Sequence, residues 1–404
     1  MLANLADATP DTCGGKAGTL GTLLRHGFSV PDGFVVPFGA YRAAHSTAQV
    51  QVQGQGQGDR RGEVAIPVAL AEHVARHLTG MGDPQVAVRS SAANEDILDA
   101  SAAGQYETVL AVRDAGAVLA AIRTCWLSAR SDRVAEYWAR SRHASGPGVS
   151  LMAVLVQRLV DAEVSGVMFT PGGTTESTRI EASWGLGPSV VDGTITPDSY
   201  EITTDGSIAR TITEKPTRLD RDSNGIARRP VPESQRVHPT LDNAAVAELS
   251  ATGKEIATVL GAPQDIEWAI ADGRIWILQA RPITAPLPTL PARTHTTAHA
   301  EMAGIPGSHG RVTGAARVLR GPTDFSQAQP GDIIVCPYTD PAWTPLFRIA
   351  AAVITETGGA LSHAAIVARE HAIPAVLSVP NATTRIRDGE LITIDGSTGI
   401  ITPT

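Results

Sequence analysis

Thr357-Gly358-Gly359-Ala360-Leu361-Ser362-His363-Ala364-Ala365-Ile366-Val367-Ala368-Arg369-Glu370 sets a histidine directly behind a Gly-Gly turn and at the head of a helix. Ala351-Ala352-Val353-Ile354 before it reads as a short buried strand, and Ser362 can cap a helix whose inner face is small and apolar. Strand, glycine turn and helix start together decide the local fold. The first turn of a helix carries unpaired N–H groups and a partial positive charge, which suits an anion. A neutral imidazole there can attack phosphorus, and the phosphohistidine formed would sit against those N–H groups. A structural histidine capping the turn is the competing reading. The Gly-Gly approach and the strand–turn–helix frame favour function.

The 404 residues exceed one ordinary core, and two or three domains are expected. A hydrophobic content of 43% with 18% charged residues describes a soluble globular chain. The net charge of -8 gives a nucleic-acid partner no support. Met1 to Pro10 lacks the basic segment and apolar core of a signal peptide, and no apolar run reaches membrane-spanning length. Cys13, Cys125 and Cys336 are isolated and unspaced for metal, which fits a cytoplasmic location. Cys13 is expected to be a small buried thiol rather than a nucleophile. Lysine is scarce: only Lys16, Lys215 and Lys254 stand against thirty arginines, so each lysine is expected to have a reason.

Gln49 to Gly62 is Gln/Gly-rich and reads as a flexible surface loop. Helical patterns follow around 67–79 and 115–140, and again from Asn243 to Leu260. Val149 to Leu159, Val164 to Phe169 and Arg179 to Ala182 read as strands, 186–198 as a Gly/Pro-punctuated loop, and 217–240 as a Pro-, Arg- and Asp-rich stretch. The clearest boundary is Pro282 to Ala300. His295 and His299 within it have i,i+4 spacing but no acidic third ligand, so no metal site is expected there. Beyond the boundary a compact unit shows strands near 310–319, 332–336, 351–355, 374–379 and 390–401, with the His363 helix between two of them.

A second constellation lies upstream. Gly14-Gly15-Lys16-Ala17-Gly18 is a glycine-rich turn carrying a lysine, though not a P-loop. Val86-Ala87-Val88-Arg89-Ser90-Ser91 is an apolar strand ending in Arg-Ser-Ser, followed later by Ala103-Gly104-Gln105-Tyr106-Glu107-Thr108. Arginine with loop hydroxyls and N–H groups can hold polyphosphate. A surface ion pair is the alternative for Arg89. Asp265 to Ile270 and Ile275 to Arg281 flank Ala271-Asp272-Gly273 and read as a hairpin. A three-residue loop would put Asp265, Glu267, Gln279 and Arg281 on one face and leave the other apolar. Two carboxylates and an amide oxygen suit Mg²⁺, with phosphate and water completing its shell. A solvated face with cross-strand ion pairs is the alternative, and a two-residue loop would split the set.

Together these pieces resemble the superfamily of PEP synthase, pyruvate phosphate dikinase and rifampin phosphotransferase. Gly14-Gly15-Lys16, Val88-Arg89-Ser90-Ser91, Gly104-Gln105, Gly185-Leu186-Gly187 and Asp265-Ile266-Glu267 through Leu278-Gln279-Ala280-Arg281-Pro282 resemble its ATP-grasp-like domain. Thr339-Asp340-Pro341-Ala342-Trp343-Thr344-Pro345 and the His363 block resemble its swivelling phosphohistidine domain. The resemblance implies an α+β, α/β multidomain chain. Residues 1–285 would form an ATP-grasp-like domain of two subdomains, 286–300 a Pro-rich linker and 301–404 a swivelling β/β/α phosphohistidine domain. It further implies that Lys16, Arg89 and Arg281 bind the phosphates of ATP, with Gly104, Gln105 and Thr108 nearby. Glu267 and Gln279 would hold Mg²⁺ with help from Asp265, and Gln157 would lie at the adenine hinge. His363 would take the β-phosphoryl group, and the reaction would release AMP and phosphate.

About fifteen residues separate the two blocks, a linker spanning roughly 20 Å as a coil and up to about 45 Å if extended. The pyruvate barrel and the rifampin-binding insert of the family have no counterpart in the sequence, so neither pyruvate nor rifampin is the expected acceptor. Three readings stay open. The first is a phosphotransferase acting on a small-molecule acceptor. The second is a phosphohistidine carrier that serves an acceptor domain on a separate polypeptide. The third is an ATP-grasp ligase releasing ADP, which would need no His363.

Overall fold

The computed structural model describes residues 2–52, 65–93, 106–129, 151–172, 177–284, 287 and 302–404. Most of the Gln/Gly-rich stretch, Gly104, Gln105, the end of the 115–140 pattern and nearly all of the 286–300 linker, with His295 and His299, lie outside those residues. The chain is mixed α/β and forms two compact units. The first comprises Met1–Asp161, Arg221–Ala227 and Ala271–Pro282; the second comprises Ala162–Asp220, Arg228–Ile270 and Ile283–Thr404.

In the first unit, β1 (Ala3–Asn4), β2 (Gly33–Val36), β3 (Val86–Ala92), β4 (Thr108–Val112) and β5 (Met152–Arg158) form a sheet in the order β1-β2-β5-β3-β4. β5, buried from Met152 to Gln157, takes the central place. Its register pairs Gln157 with Gly33 of β2 on one side and with Ala87 of β3 on the other. Helices Phe38–Val52, Val68–Gly80 and Ala115–Ser128 accompany this sheet. Phe34, Val74, Val88, Ile122, Trp126 and Val154 are among the residues of one buried cluster between them. The last helix starts at Asp114, whose side chain accepts the N–H of Ala117 at 2.9 Å.

The second unit holds β6 (Val164–Phe169), β7 (Thr178–Trp184), β8 (Asp198–Ile202) and β9 (Ile208–Thr211). The Pro-, Arg- and Asp-rich stretch contains β10 (Thr217–Asp222) and β11 (Gly225–Pro230), and a short helix, Pro188–Val191, interrupts the 186–198 loop. β12 (Gln264–Ala271) lies beside β6 in the order β12-β6-β7-β8-β9. Helix Asn243–Leu260 has the bounds that the sequence predicts. Asp242 caps its start by accepting the N–H of Ala245 at 2.8 Å, and Gly261 closes it in the left-handed region at φ 75°.

β13 (Arg274–Pro282) follows β12 after two residues, Asp272 and Gly273, both at positive φ (52° and 67°). The loop is therefore a two-residue type I′ turn and not the expected three-residue loop. Ala271 stays in the strand. An odd-length loop is the condition for Asp265, Glu267, Gln279 and Arg281 to share one face, and the two-residue turn does not meet it. The single polar face expected for these four residues is corrected accordingly.

The C-terminal part of the second unit carries β14 (Met302–Ala303), β15 (Ile305–Ser308), β16 (Arg311–Val318), β17 (Ile333–Cys336), β18 (Ala352–Thr355), β19 (Ala375–Leu377), β20 (Leu391–Asp395) and β21 (Ile400–Pro403). Their order is β14-β21-β20-β16-β17-β18-β19-β15, and β16 to β19 run parallel. The run expected as one strand over 390–401 is two, turned at Gly399. Strand alternation sends Ile334 and Val353 to one core, with Ala365 and Ala368 of the His363 helix, and Val335 and Ile354 to the other, with Ile392 and Ile394. Helix His363–Glu370 is the crossover between parallel neighbours β18 and β19, as parallel strands require.

Candidate active site: a histidine loop and a lysine–arginine cluster

His363 opens its helix and is 5% exposed. Its Nδ1 lies 2.9 Å from the hydroxyl of Thr339, which is itself buried. Asp340 accepts the N–H of Ala342 at 2.8 Å and so fixes the turn that presents Thr339. When Nδ1–H donates to Thr339, Nε2 is the ring nitrogen that carries the lone pair. The Phe347 ring stands edge-on to the imidazole at 6.2 Å between centroids. Ser362 occupies the N-cap position, but its hydroxyl donates back to the Gly359 carbonyl at 2.8 Å and caps nothing, contrary to expectation.

The loop before His363 is seated on the β6–β9 part of the second unit. Leu361 N–H donates to Oε2 of Glu181 at 3.1 Å, Gly358 N–H to the Ile195 carbonyl at 3.1 Å, and the Thr357 hydroxyl to the Gly193 carbonyl at 2.6 Å. Two glycines permit this approach. Gly193 lies at φ 66° with Gly358 and Ser362 against it, and a Cβ on Gly359 would run into the Glu181 carboxylate. Arg369 grips the loop from its own helix, donating to the carbonyls of Ala360 at 2.8 Å and Gly307 at 2.9 Å. Burial brings the Arg369 guanidinium down to about 10.

β12 pairs Asp265 with Phe169 and Glu267 with Val167; β6 in turn pairs Phe169 with Arg179 and Val167 with Glu181. Asp265, Glu267, Arg179 and Glu181 therefore share one face of this sheet. Ile266, Trp268, Met168 and Ile180 share the other, where Gly253 of the long helix packs against Met168. Burial pushes the Glu181 carboxyl up to about 7, against the pull of the Leu361 and Ala360 N–H groups and of Arg179 and Arg369. Asp192 also rises to about 7, through burial first and then through the negative charges of Asp340 and Glu267.

In the first unit the expected glycine turn is a kink within helix Pro10–Arg25. Gly14, at φ 80° and ψ 169°, is its non-helical residue, and it lies against Ser91 where no Cβ would fit. Lys16 Nζ donates to the Ser90 carbonyl at 3.3 Å, and Ala17 N–H to the Ser91 hydroxyl at 3.0 Å. Arg89, one residue earlier on β3, donates to the Leu278 carbonyl of β13 at 2.8 Å and faces Thr108 in the ladder. Lys16, Arg89, Thr108 and the strand that carries Gln279 and Arg281 are thus brought together. Gln157 is 2% exposed and donates its amide to the Pro31 carbonyl at 3.1 Å.

The other two lysines have different reasons. Lys215 is fully buried and pairs with fully buried Asp198 at 2.6 Å, while Asp198 also accepts from Thr213 and Thr240. Lys254 is exposed on its helix. Cys13, Cys125 and Cys336 are buried thiols.

Asp265 and Glu267, on one face of β12, offer carboxylate oxygens of the kind that Mg²⁺ takes. Among the described residues no group of three or more His, Cys, Asp or Glu side chains is placed to hold a metal ion by itself. Phosphate and water would have to complete the shell.

Residues 61–301 match the family model described as pyruvate phosphate dikinase, AMP/ATP-binding domain, and 328–399 match the PEP-utilising enzyme, mobile domain. The chain belongs to the PEP-utilising dikinase superfamily. Among relatives of this superfamily, it is 34% identical to the probable phosphoenolpyruvate synthase of Methanothermobacter thermautotrophicus over 96% of this chain and 61% of that one. The phosphoenolpyruvate synthase of Aeropyrum pernix is 33% identical over 96% of this chain and 56% of its own, and that of Escherichia coli 32% over 97% and 56%. The chain thus spans between 56% and 61% of the length of these relatives. Among the described residues no helix is long and apolar enough to cross a membrane.

Sequence reasoning missed Thr339 as the partner of His363, and it missed Glu181 and Asp192. A signal for Glu181 exists: Arg179 and Glu181 place charges at period two within an otherwise uncharged strand.

Proposed function

We propose that the chain is an ATP-dependent phosphotransferase of the dikinase kind, with an ATP-grasp-like domain of two subdomains over 1–285, a linker over 286–300 and a swivelling phosphohistidine domain over 301–404. The single observation that carries this reading is the placement of His363: at a helix start behind Gly358 and Gly359, with Nδ1 against Thr339. Nε2 forms a bond to the β-phosphorus of ATP while the bond from that phosphorus to the bridging oxygen of AMP breaks, and AMP leaves. The γ-phosphate passes to water or phosphate. The β-phosphoryl group then moves from His363 to the hydroxyl of a small-molecule acceptor, which gives up its proton. The names of the curated relatives support the first half of this sequence; the acceptor is identified here only by its hydroxyl.

Lys16, Arg89 and Arg281 bind the phosphates and offset charge as it builds on the leaving AMP oxygen. Mg²⁺ held by Glu267, with Asp265 on the same sheet face, would supply further charge neutralisation at the phosphates. The buried position of His363 keeps water from the N–P bond. The three buried thiols accord with a cytoplasmic location.

Product analysis tests the reading. Purified protein with Mg²⁺ and ATP should yield AMP and phosphate, and His363→Ala should yield neither. ADP as the sole nucleotide product rejects the dikinase mechanism.

A further inference from the structure

Glu181 sits at the middle of β7, 2% exposed, and its carboxylate takes the N–H of Leu361, two residues before His363. That N–H belongs to the approach to a helix start, where donors lack intrahelical partners. The absence of a side chain at Gly359 is what lets the carboxylate in. Arg369 holds the neighbouring carbonyl of Ala360. The loop is thus clamped at consecutive residues by an acid from the sheet and a base from its own helix.

We propose that Glu181 is a positioning residue for His363, latching the histidine loop onto the polar face of the β12-β6-β7-β8-β9 sheet and releasing the Leu361 N–H whenever that loop departs. This rests on His363 being the phosphoryl relay and adds what holds the relay in place. A relay must visit a donor and an acceptor, so the bonds that hold it have to be breakable. Hydrogen bonds to one carboxylate meet that need better than apolar packing would.

The charge balance gives the latch a direction. Burial pushes the Glu181 carboxyl from 4.5 to about 7, and the charged groups acting on it, Arg179 from its own strand and Arg369 from the His363 helix, only partly oppose this. A departed loop returns the carboxylate to water and to its ordinary value. The latched state therefore binds the extra proton. Latching is favoured below the ordinary value and weakens as pH rises through the window from 4.5 to about 7, by up to about tenfold per pH unit. Above that window it levels off.

The test is amide hydrogen exchange of Leu361 in the full chain, expressed as protection relative to a free peptide at each pH. Wild-type protection should fall between pH 5 and pH 7. Glu181→Ala should lower it at least roughly tenfold at pH 6, the loss expected for one hydrogen bond of about 1.4 kcal/mol. Glu181→Gln keeps an acceptor oxygen for the N–H, so it should retain protection but lose the dependence on pH. Gly359→Ala should open the loop with Glu181 in place. Unchanged Leu361 protection in folded Glu181→Ala overturns the proposal. If that variant does not fold, Gly359→Ala with wild-type protection, or Glu181→Gln with the wild-type pH dependence, overturns it instead. The measurement needs no turnover. His363→Ala protein should show the same Glu181 dependence, so a failure of the relay reading alone leaves this result standing.

Discussion

The Thr339 hydroxyl and Nδ1 of His363 lie 2.9 Å apart, and both residues are buried. One hydrogen bond therefore fixes both the tilt of the imidazole and the nitrogen left to attack. Thr339→Val removes that bond at nearly constant volume. The rate of protein labelling from ATP should fall by roughly 10–100-fold, as misorientation of a reacting group does, with ATP affinity unchanged. Thr339→Ser should restore most of the rate. Single-turnover labelling alongside nucleotide binding checks both; an unaltered rate in Thr339→Val removes Thr339 from the mechanism.

Lys215 and Asp198 form a fully buried ion pair whose carboxylate is saturated by Thr213 and Thr240. Removing the cation alone leaves a charge stranded out of water. Lys215→Met should cost about 3–5 kcal/mol of unfolding free energy, and adding Asp198→Asn should recover part of it. Urea unfolding of the single and double variants measures the difference. Equal stability of Lys215→Met and wild type would mean that the pair is not buried as described.

Gly14 combines φ 80° with a close approach to Ser91. Gly14→Ala asks an L-residue for a conformation it resists and pushes a methyl into the Ser91 backbone. That pressure should move the helix that carries Lys16 away from Ser90. ATP affinity should drop by about tenfold, with a loss of stability of at least about 1 kcal/mol. Nucleotide titration and thermal unfolding report the two effects separately.

Chelation tests the metal reading. EDTA should stop the labelling of the protein by ATP, and added Mg²⁺ should restore it. Glu267→Gln should raise the Mg²⁺ concentration needed for half-maximal labelling by about tenfold or more, since a carboxylate is a far better ligand than an amide for a hard cation. Full labelling in EDTA would remove the metal from the mechanism.

Several elements were legible because their determinants are local. Helix Asn243–Leu260 announces itself by Asp242 in front and Gly261 behind. The His363 segment is readable because strand, Gly-Gly and helix follow one another within a dozen residues. The hairpin was misread by one residue. Ala271-Asp272-Gly273 admits a three-residue bulge, yet Asp272 accepts φ 52°, as Asp does more readily than most residues, and an Asp-Gly pair makes the tighter turn. That single residue removes the odd-length loop on which a shared face for Gln279, Arg281 and Glu267 depends. Glu181 and Thr339 were missed because their partners are set by tertiary contact: Leu361 lies 180 residues from Glu181 in the chain. The scarcity of lysine flagged Lys16 and Lys215 alike, and the packing alone distinguishes Lys16, bonded to the Ser90 carbonyl, from the core ion pair of Lys215.

The relay through His363 is tested most directly by ATP labelled at the β-phosphate. After brief incubation with Mg²⁺, label should remain on the protein as AMP appears. It should be lost in acid, survive alkali, and map to the peptide containing His363. His363→Ala should carry none. Label absent from wild-type protein while AMP accumulates, label on another residue, or wild-type AMP production by His363→Ala would contradict the account.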